Sequence, residues 1–325
     1  MAEGPEPVAR RPWGWRLLGL FWAAVLVALL GGGVVLVALG PPPAEEEVVT
    51  ESPPDTMTPE PPPEAAPEPP PPPPTPPPVA APPATPPRLA FARPAPAAQG
   101  RIPVAIIAGG LGMSAEVTAQ AIQSLPVAVG LAFSPYATEP GPLLQQARLR
   151  GFETLLALPL EPTGFPLNDP GPRALLTGVS RAENAQRLEW LLRRHGGHVG
   201  VVGALGPLRG ERFAALPDQF DAMQRQVEAA GFLYIDPRPG QPAPRLVWGR
   251  SVDVVLDAPS TRAEIELRLS QLERAARERG SAMGYLGEAT PVAVERVSAW
   301  AAAVAARGLV LVPPSALMLP PRPEN

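Results

Sequence analysis

Acidic side chains follow several of the apolar runs in this sequence. Glu161 closes the run ALPLE, Asp236 follows LYI and Asp257 follows VVL. Because the carboxyl ends of parallel strands meet on one side of a sheet or barrel, these three carboxylates could face one cavity. Carboxylates alone suit calcium or magnesium better than catalytic zinc. For Asp236 we favour a structural ion pair with Arg238, or with another nearby arginine, over direct contact with a ligand.

Other groups that commonly carry catalysis are scarce. The chain has no cysteine and no lysine, which excludes thiol chemistry, Schiff-base lysines and a Walker-type phosphate site. Its two histidines, His195 and His198, lie where a predicted helix ends at Gly196 and a strand follows. We interpret both as structural and expect them at the opposite end from the strand termini. No Gly-x-Ser-x-Gly motif indicates a serine nucleophile.

Two aromatic residues and the overall charge bear on the partner. Tyr136 and Tyr285 lie at predicted strand ends, where they could stack on sugar rings, although ordinary packing explains them equally well. The net charge is -4 and the folded part has no basic cluster. This balance argues against a nucleic-acid partner.

Short apolar runs alternate with helical stretches after Arg101, which predicts βαβ units around a parallel sheet or barrel. The predicted strands cover 104–108, 127–133, 154–158, 199–204, 232–236, 252–257 and 281–286, with a closing run at 309–312. The predicted helices cover 115–124, 142–150, 181–195, 213–230, 261–279 and 291–307.

The N-terminal part predicts a membrane anchor. Residues 17–39 are uncharged and mostly apolar, long enough to cross a hydrocarbon core of about 30 Å. Arginines precede this run and glutamates follow it, so the positive-inside rule predicts cytoplasmic residues 1–16 and a periplasmic remainder. A cleaved signal peptide is the alternative, but the run is longer than a typical h-region and lacks a small-residue cleavage pattern. We predict a single-pass inner-membrane protein.

Proline dominates the segment after this run. The chain has 51 prolines, and residues 40–100 combine proline with acidic side chains. Such a composition predicts a disordered, extended linker, either a spacer toward the cell wall or a passive connection. The folded domain is then expected at 101–318, with a short tail at 319–325.

As a set, the strand ends resemble the divergent polysaccharide deacetylase family, whose fold is a distorted seven-stranded (β/α) barrel. VAIIAGGLG resembles the family's opening strand, which ends in Asp-Asp-Leu-Gly, with Gly109 and Gly110 in the aspartate places. ETLLALPLEP and VGVVGALGPL resemble stretches where the family carries histidine and this chain carries Ala157 and Ala204. Tyr285, in AMGYL, stands where the family tends to carry another histidine.

This resemblance, over residues 102–317, implies hydrolysis of acetyl groups on a glycan by water bound to a divalent metal such as zinc. Catalytic zinc needs about three protein ligands and one open position. The sequence departs from the family at every residue expected to supply them, since glycine has no side-chain donor and alanine has only a methyl group. We therefore expect no metal cofactor.

The leading hypothesis is a non-catalytic domain that binds a cell-envelope glycan, or a periplasmic or inner-membrane protein, through the remnant cleft. One alternative is an active glycan deacetylase with an unconventional site around Glu161, Asp236 and Asp257. Another is a scaffold contacted on the outer surface of the barrel. The candidate cleft residues are Tyr136, Glu161, Asp236, Arg238, Asp257 and Tyr285.

Overall fold

The computed structural model describes residues 18–27 and 85–322. Helix α1 covers 18–27. No helix within these ranges is both long and apolar enough to cross a membrane. The predicted anchor at 17–39 reaches beyond the described residues, and residues 1–16 and most of the predicted linker lie outside them. Anchor, topology and linker therefore stay predictions.

Parallel strands and helices alternate through residues 85–322. The strands are β1 (Ile102–Leu111), β2 (Gly130–Phe133), β3 (Thr154–Ala157), β4 (Gly200–Val202), β5 (Leu233–Asp236), β6 (Gly249–Ser251), β7 (Val254–Val255), β8 (Ala282–Leu286) and β9 (Leu309–Leu311). The helices are α2 (Pro87–Ala90), α3 (Ala115–Ser124), α4 (Gly141–Arg150), α5 (Arg181–Leu192), α6 (Glu211–Ala214), α7 (Pro217–Ala229), α8 (Arg262–Arg279) and α9 (Pro291–Ala303), with 3-10 helices at Ala305–Arg307 and Pro314–Leu317.

All paired strands of this part run parallel in one sheet. Its order is β6-β5-β4-β3-β2-β1-β8-β7, and β9 pairs with the first residues of β1. The predicted parallel α/β architecture is confirmed, because the strands pair in parallel and most of them are connected through a helix. The carboxyl ends of the strands therefore lie together at one end, here called the upper end.

The predicted number of seven barrel strands is wrong. Eight strands follow one another along the sheet and β9 adds a further one at β1. The predicted strand at 252–257 contains only the short strand β7; β6 ends directly before it, and the two lie at opposite edges of the sheet. The Val252 amide donates to Asp236 on β5 (2.8 Å), and the next amide, Asp253, donates to Met283 on β8 (2.8 Å). The chain thus changes neighbours between these residues and connects the two edges, although no hydrogen-bonded ladder joins β6 to β7.

Alternation along β1 separates the interior from the outer core. Ala105 and Ile107 join an interior cluster with Ala157, Ala204 and Tyr285. The intervening apolar residues of β1 pack instead against helices α3, α8 and α9. This two-residue period is expected of a strand covered on both faces.

One predicted helix is two. The sequence predicted a single helix over 213–230, but α6 ends before α7 begins at Pro217. Proline has no amide hydrogen and fixes its φ angle, so it suits the first turn of a helix and interrupts the interior of one.

The folded domain begins before the predicted boundary at Arg101. The Arg88 amide donates to the Gly231 carbonyl oxygen (3.0 Å), and the Arg93 amide donates to the Glu153 carboxylate (2.9 Å). Glu153 is buried and also accepts from the amide of Ser315 (3.0 Å) and from its hydroxyl. This carboxylate joins the N-terminal segment, the start of β3 and the C-terminal 3-10 helix. Residues 85–93, predicted as linker, therefore belong to the domain.

Candidate functional site

Strand β1 bulges at the two glycines. Ala108 pairs with Leu131 and Leu111 pairs with Phe133, so β1 has one extra residue at Gly109 and Gly110. Bulges are common at barrel rims, where they redirect the chain. Gly110 has φ +72°, in the left-handed region that favours glycine.

Tyr285 occupies the space of the missing side chain at Gly109. A Cβ atom on Gly109 would lie 2.8 Å from the Tyr285 hydroxyl oxygen and 2.8 Å from the carbonyl oxygen of Gly287. The hydroxyl donates to the Gly206 carbonyl oxygen at 2.8 Å. Burial, followed by the charge of Asp257, raises the pKa of Tyr285 far above its usual value, so the hydroxyl stays a neutral donor. Tyr285 thus fills the interior below the cleft and is not exposed as a stacking surface.

A cavity of about 440 Å³ remains at the upper end. Gly110 and Ala157 line it, and Ala204 belongs to the same interior cluster as Ala157 and Tyr285. The positions at which the chain departs from the family pattern therefore meet at one place. The rest of the lining is mostly apolar and includes a few polar side chains. Its residues are Met113, Ser114, Val117, Ser134, Tyr136, Leu205, Gly206, Pro207, Glu288, Ala289, Thr290 and Pro291.

Tyr136 lies where the sequence predicted it, in the wall of this cavity. Its hydroxyl oxygen accepts from the Arg173 amide (3.3 Å), and its ring contacts Gly171. Burial raises the pKa of Tyr136, the largest influence among several. Tyr136 therefore connects the cavity wall to the long loop between β3 and α5.

Asp257 supports the loop after β8. One carboxylate oxygen accepts from the Gly287 amide and the other from the Glu288 amide, each at 2.9 Å. Both oxygens are therefore used to shape the loop that borders the cavity, and Asp257 is not itself among the lining residues.

Glu161 is a buried structural acceptor with a 2% exposed side chain. One oxygen accepts from the Thr177 amide (2.6 Å) and hydroxyl (2.8 Å). The other lies 3.1 Å from an Arg212 guanidinium nitrogen. These contacts tie the β3–α5 loop to α6 and leave Glu161 outside the cavity lining.

Asp236 forms the ion pair with Arg238. The Arg238 guanidinium donates to both carboxylate oxygens, at 2.9 and 2.6 Å, and the Arg238 amide donates at 3.0 Å. Burial opposes the charge of Arg238, but the hydrogen bonds and charge of Asp236 raise its pKa overall. The pair lines a separate cavity of about 220 Å³, so Asp236, Glu161 and Asp257 do not share one cavity, which the alternative of an unconventional active site requires.

The histidines lie away from the cavity. His198 lies two residues before β4, at the lower end, and is buried. Burial, followed by the charges of Arg148 and His195, lowers the pKa of His198 to about 3. Burial also lowers the pKa of His195. Neither histidine lines the upper cavity.

The residues of the cleft do not fit a catalytic zinc ion. Zinc requires about three nitrogen, sulfur or oxygen ligands from side chains that converge. Within residues 18–27 and 85–322, no three histidine, aspartate or glutamate side chains are grouped closely enough to hold a metal. The three carboxylates proposed from sequence are each bound to backbone, hydroxyl or arginine groups elsewhere.

Glu288 is the residue that sequence reasoning missed. It follows β8 and lines the cavity, and its carboxylate has no hydrogen bond or ion pair among the described residues. The signal was present, since Glu288 closes the strand end YLGE. The resemblance directed attention instead to Tyr285, three residues earlier.

A family model described as divergent polysaccharide deacetylase matches residues 106–318. The chain belongs to the divergent polysaccharide deacetylase family. A solved structure of an uncharacterized protein from Agrobacterium tumefaciens agrees with this assignment. It is 34% identical, with a TM-score of 0.64, and the match covers 71% of this chain and 94% of that one.

Two other solved structures are more distant from this family member. One is the catalytic domain of a peptidoglycan N-acetylglucosamine deacetylase from Eubacterium rectale, at 12% identity and TM-score 0.44, covering 73% of this chain and 100% of the other. The second is a family 4 carbohydrate esterase from Streptomyces lividans in complex with acetate, at 12% identity and TM-score 0.41, covering 70% and 100%. No curated protein matches this chain.

Proposed function

We propose that this member of the family is a non-catalytic protein that binds a cell-envelope glycan in its upper cleft. The observation that carries the proposal is the relation between Gly109 and Tyr285. The space of a side chain at position 109 is occupied by the Tyr285 hydroxyl, 2.8 Å from where Cβ would lie. A side chain could not be added at Gly109 without moving Tyr285 and the backbone of Gly287.

The cavity at the upper end supports the proposal that the domain still binds a ligand. A volume of about 440 Å³ falls within the range of about 300–1,000 Å³ typical of small-molecule sites. Apolar walls suit the carbon-bound hydrogens of a sugar ring, and Tyr136, Ser134 and Thr290 supply hydroxyl groups. Membership of a carbohydrate deacetylase family favours a glycan as ligand. The predicted anchor at 17–39 supports a periplasmic location.

The rival hypothesis, an active deacetylase built on Glu161, Asp236 and Asp257, receives no support from their placement. Each carboxylate is committed to a local contact, and none lines the upper cavity.

Binding of amino-sugar oligomers to the full chain, measured by calorimetry, tests the proposal. Met113 is a rim residue with 66% of its surface exposed, so Met113→Ala is expected to weaken binding by up to about tenfold through lost apolar contact. Leu149→Ala is the matched control, since Leu149 is 82% exposed at the lower end of α4. If neither the acetylated nor the deacetylated oligomers bind, the proposed function is disproved.

A further inference from the structure

Glu288 places an exposed, unpaired carboxylate among the residues that line the cleft. Its Cγ lies 3.6 Å from where a Cβ of Gly110 would lie, and its Oε1 lies 4.0 Å from the corresponding point on Gly206. The side chain therefore extends between these two glycines. No described residue forms a hydrogen bond or an ion pair with this carboxylate.

Other charged groups around the cleft already have partners. The Asp257 carboxylate accepts two amide hydrogen bonds. Arg209, whose charge influences Tyr285, lies 3.3 Å from Glu211. Glu288 is thus the charged residue in the cavity lining, and its charge is not compensated by a side chain.

The two helices that begin at the cleft do not compensate the negative charge of Glu288. A helix N-terminus attracts anions through its free amide groups and dipole. However, the Ser114 side chain accepts from the Val117 amide at the start of α3, and Thr290 accepts from the Ala293 amide at the start of α9. The first residue of α9 is Pro291, which has no amide hydrogen. Few donors therefore remain for an anionic ligand.

We infer that the cleft selects amino sugars whose amine is free, with the ammonium group beside Glu288. This inference rests on the proposed glycan-binding function and names its ligand class. An ammonium group next to an unpaired carboxylate in a mostly apolar cavity gains a charge-assisted hydrogen bond. An acetylated amine carries no charge, so its N–H can offer the Glu288 carboxylate only a weaker hydrogen bond without the attraction between opposite charges. The domain would then recognise the product of deacetylation.

Three ligands distinguish the possibilities when calorimetry is performed on the full chain. They are a glucosamine tetramer, an N-acetylglucosamine tetramer and tetralysine, all at about pH 6, where amines are protonated. We expect the glucosamine tetramer to bind at least tenfold more tightly than the acetylated one. Glu288→Gln should remove this preference without changing the melting temperature, since the side chain is exposed and unpaired.

Glu278→Gln is the matched control. Glu278 is an exposed residue on the outer helix α8, 3.9 Å from Arg274, and its substitution should leave the preference intact. Equal or tighter binding of the acetylated tetramer, unchanged by Glu288→Gln, would overturn the inference while leaving glycan binding in place. Tight, Glu288-dependent binding of tetralysine in place of the glucosamine tetramer would overturn it in favour of a cationic peptide. Failure of both sugars to bind would remove the proposed function itself.

Discussion

The hydroxyl group of Tyr285 donates a hydrogen bond of 2.8 Å to the carbonyl oxygen of Gly206. Tyr285 lies on β8, and Gly206 follows β4, which is four positions away in the sheet. The bond therefore crosses the barrel interior directly below the cleft. It also fixes the hydroxyl beside Gly109, where a side chain would otherwise lie.

Gly109→Ala should destabilise the fold. The new Cβ would meet the Tyr285 hydroxyl and the Gly287 carbonyl oxygen, both at 2.8 Å. Overpacking of this kind costs about 1–3 kcal/mol. Gly178→Ala is the control, because no atom lies within 4 Å of its Cβ position. Chemical denaturation should separate the two variants, and equal stability would show that the space at Gly109 is open.

Tyr285→Phe should cost about 1 kcal/mol alone, since it removes one buried hydrogen bond. It should also reduce the cost of Gly109→Ala, because one of the two close contacts disappears while Gly287 remains. A double-mutant cycle measures this coupling, expected at about 0.5–3 kcal/mol. Strict additivity would mean that Tyr285 does not restrict position 109.

Glu153→Gln should loosen the N-terminal segment. The carboxylate accepts from Arg93 and Ser315, and weakening these buried bonds costs about 1–3 kcal/mol. Trypsin should then cleave faster after Arg88, whose amide is bonded to Gly231 in the folded domain. The control is Glu189→Gln, which removes only an exposed pair with Arg193. Equal cleavage in both variants would indicate that residues 85–93 are a passive linker.

His198 should make stability depend on pH. Burial lowers its pKa from 6.5 to about 3, so between these values the unfolded chain binds a proton that the folded chain does not. Above about pH 6.5, His198 has no effect on the free energy of unfolding, because it is uncharged in both the folded and the unfolded chain. As the pH falls below this value, the free energy of unfolding decreases by at most about 1.4 kcal/mol per pH unit.

His198→Leu should flatten the corresponding part of the stability profile measured by denaturant unfolding. Neither ring nitrogen of His198 has a hydrogen-bond partner among the described residues, so leucine removes no such bond. His195→Gln serves as the comparison, since His195 is only partly buried. Parallel acid sensitivity in the two variants would contradict a special role for His198.

The strands and helices could be predicted largely because their apolar residues follow regular periods. Helix α3 was predicted at its observed bounds. The crossing of the chain from β5 to β8 between Val252 and Asp253 could not be predicted, because it depends on hydrogen bonds to strands that are distant in the sequence. The helix break at Pro217 follows from the chemistry of proline, but the periodic apolar residues around it predicted one continuous helix.

The candidate site was predicted less completely. The sequence identified the residues that the cleft lacks, and the structure brings those positions together. It anticipated the ion pair of Asp236 with Arg238. It could not show that Glu161 is bound outside the cleft, because Thr177 and Arg212 reach Glu161 only in the folded chain. Glu288 could not be identified from the sequence, because the sequence does not show which carboxylates lack a hydrogen-bond or ion-pair partner in the folded chain.

Acetate release by the full chain, with zinc added, tests the central claim most directly. The substrates are N-acetylglucosamine oligomers and acetylated peptidoglycan fragments, and the reference is the same mixture without protein. We predict no acetate above that reference, because the cleft does not provide the ligands for a catalytic metal. Acetate released in proportion to the protein, and lost in Asp257→Asn, would contradict the account and establish an active deacetylase.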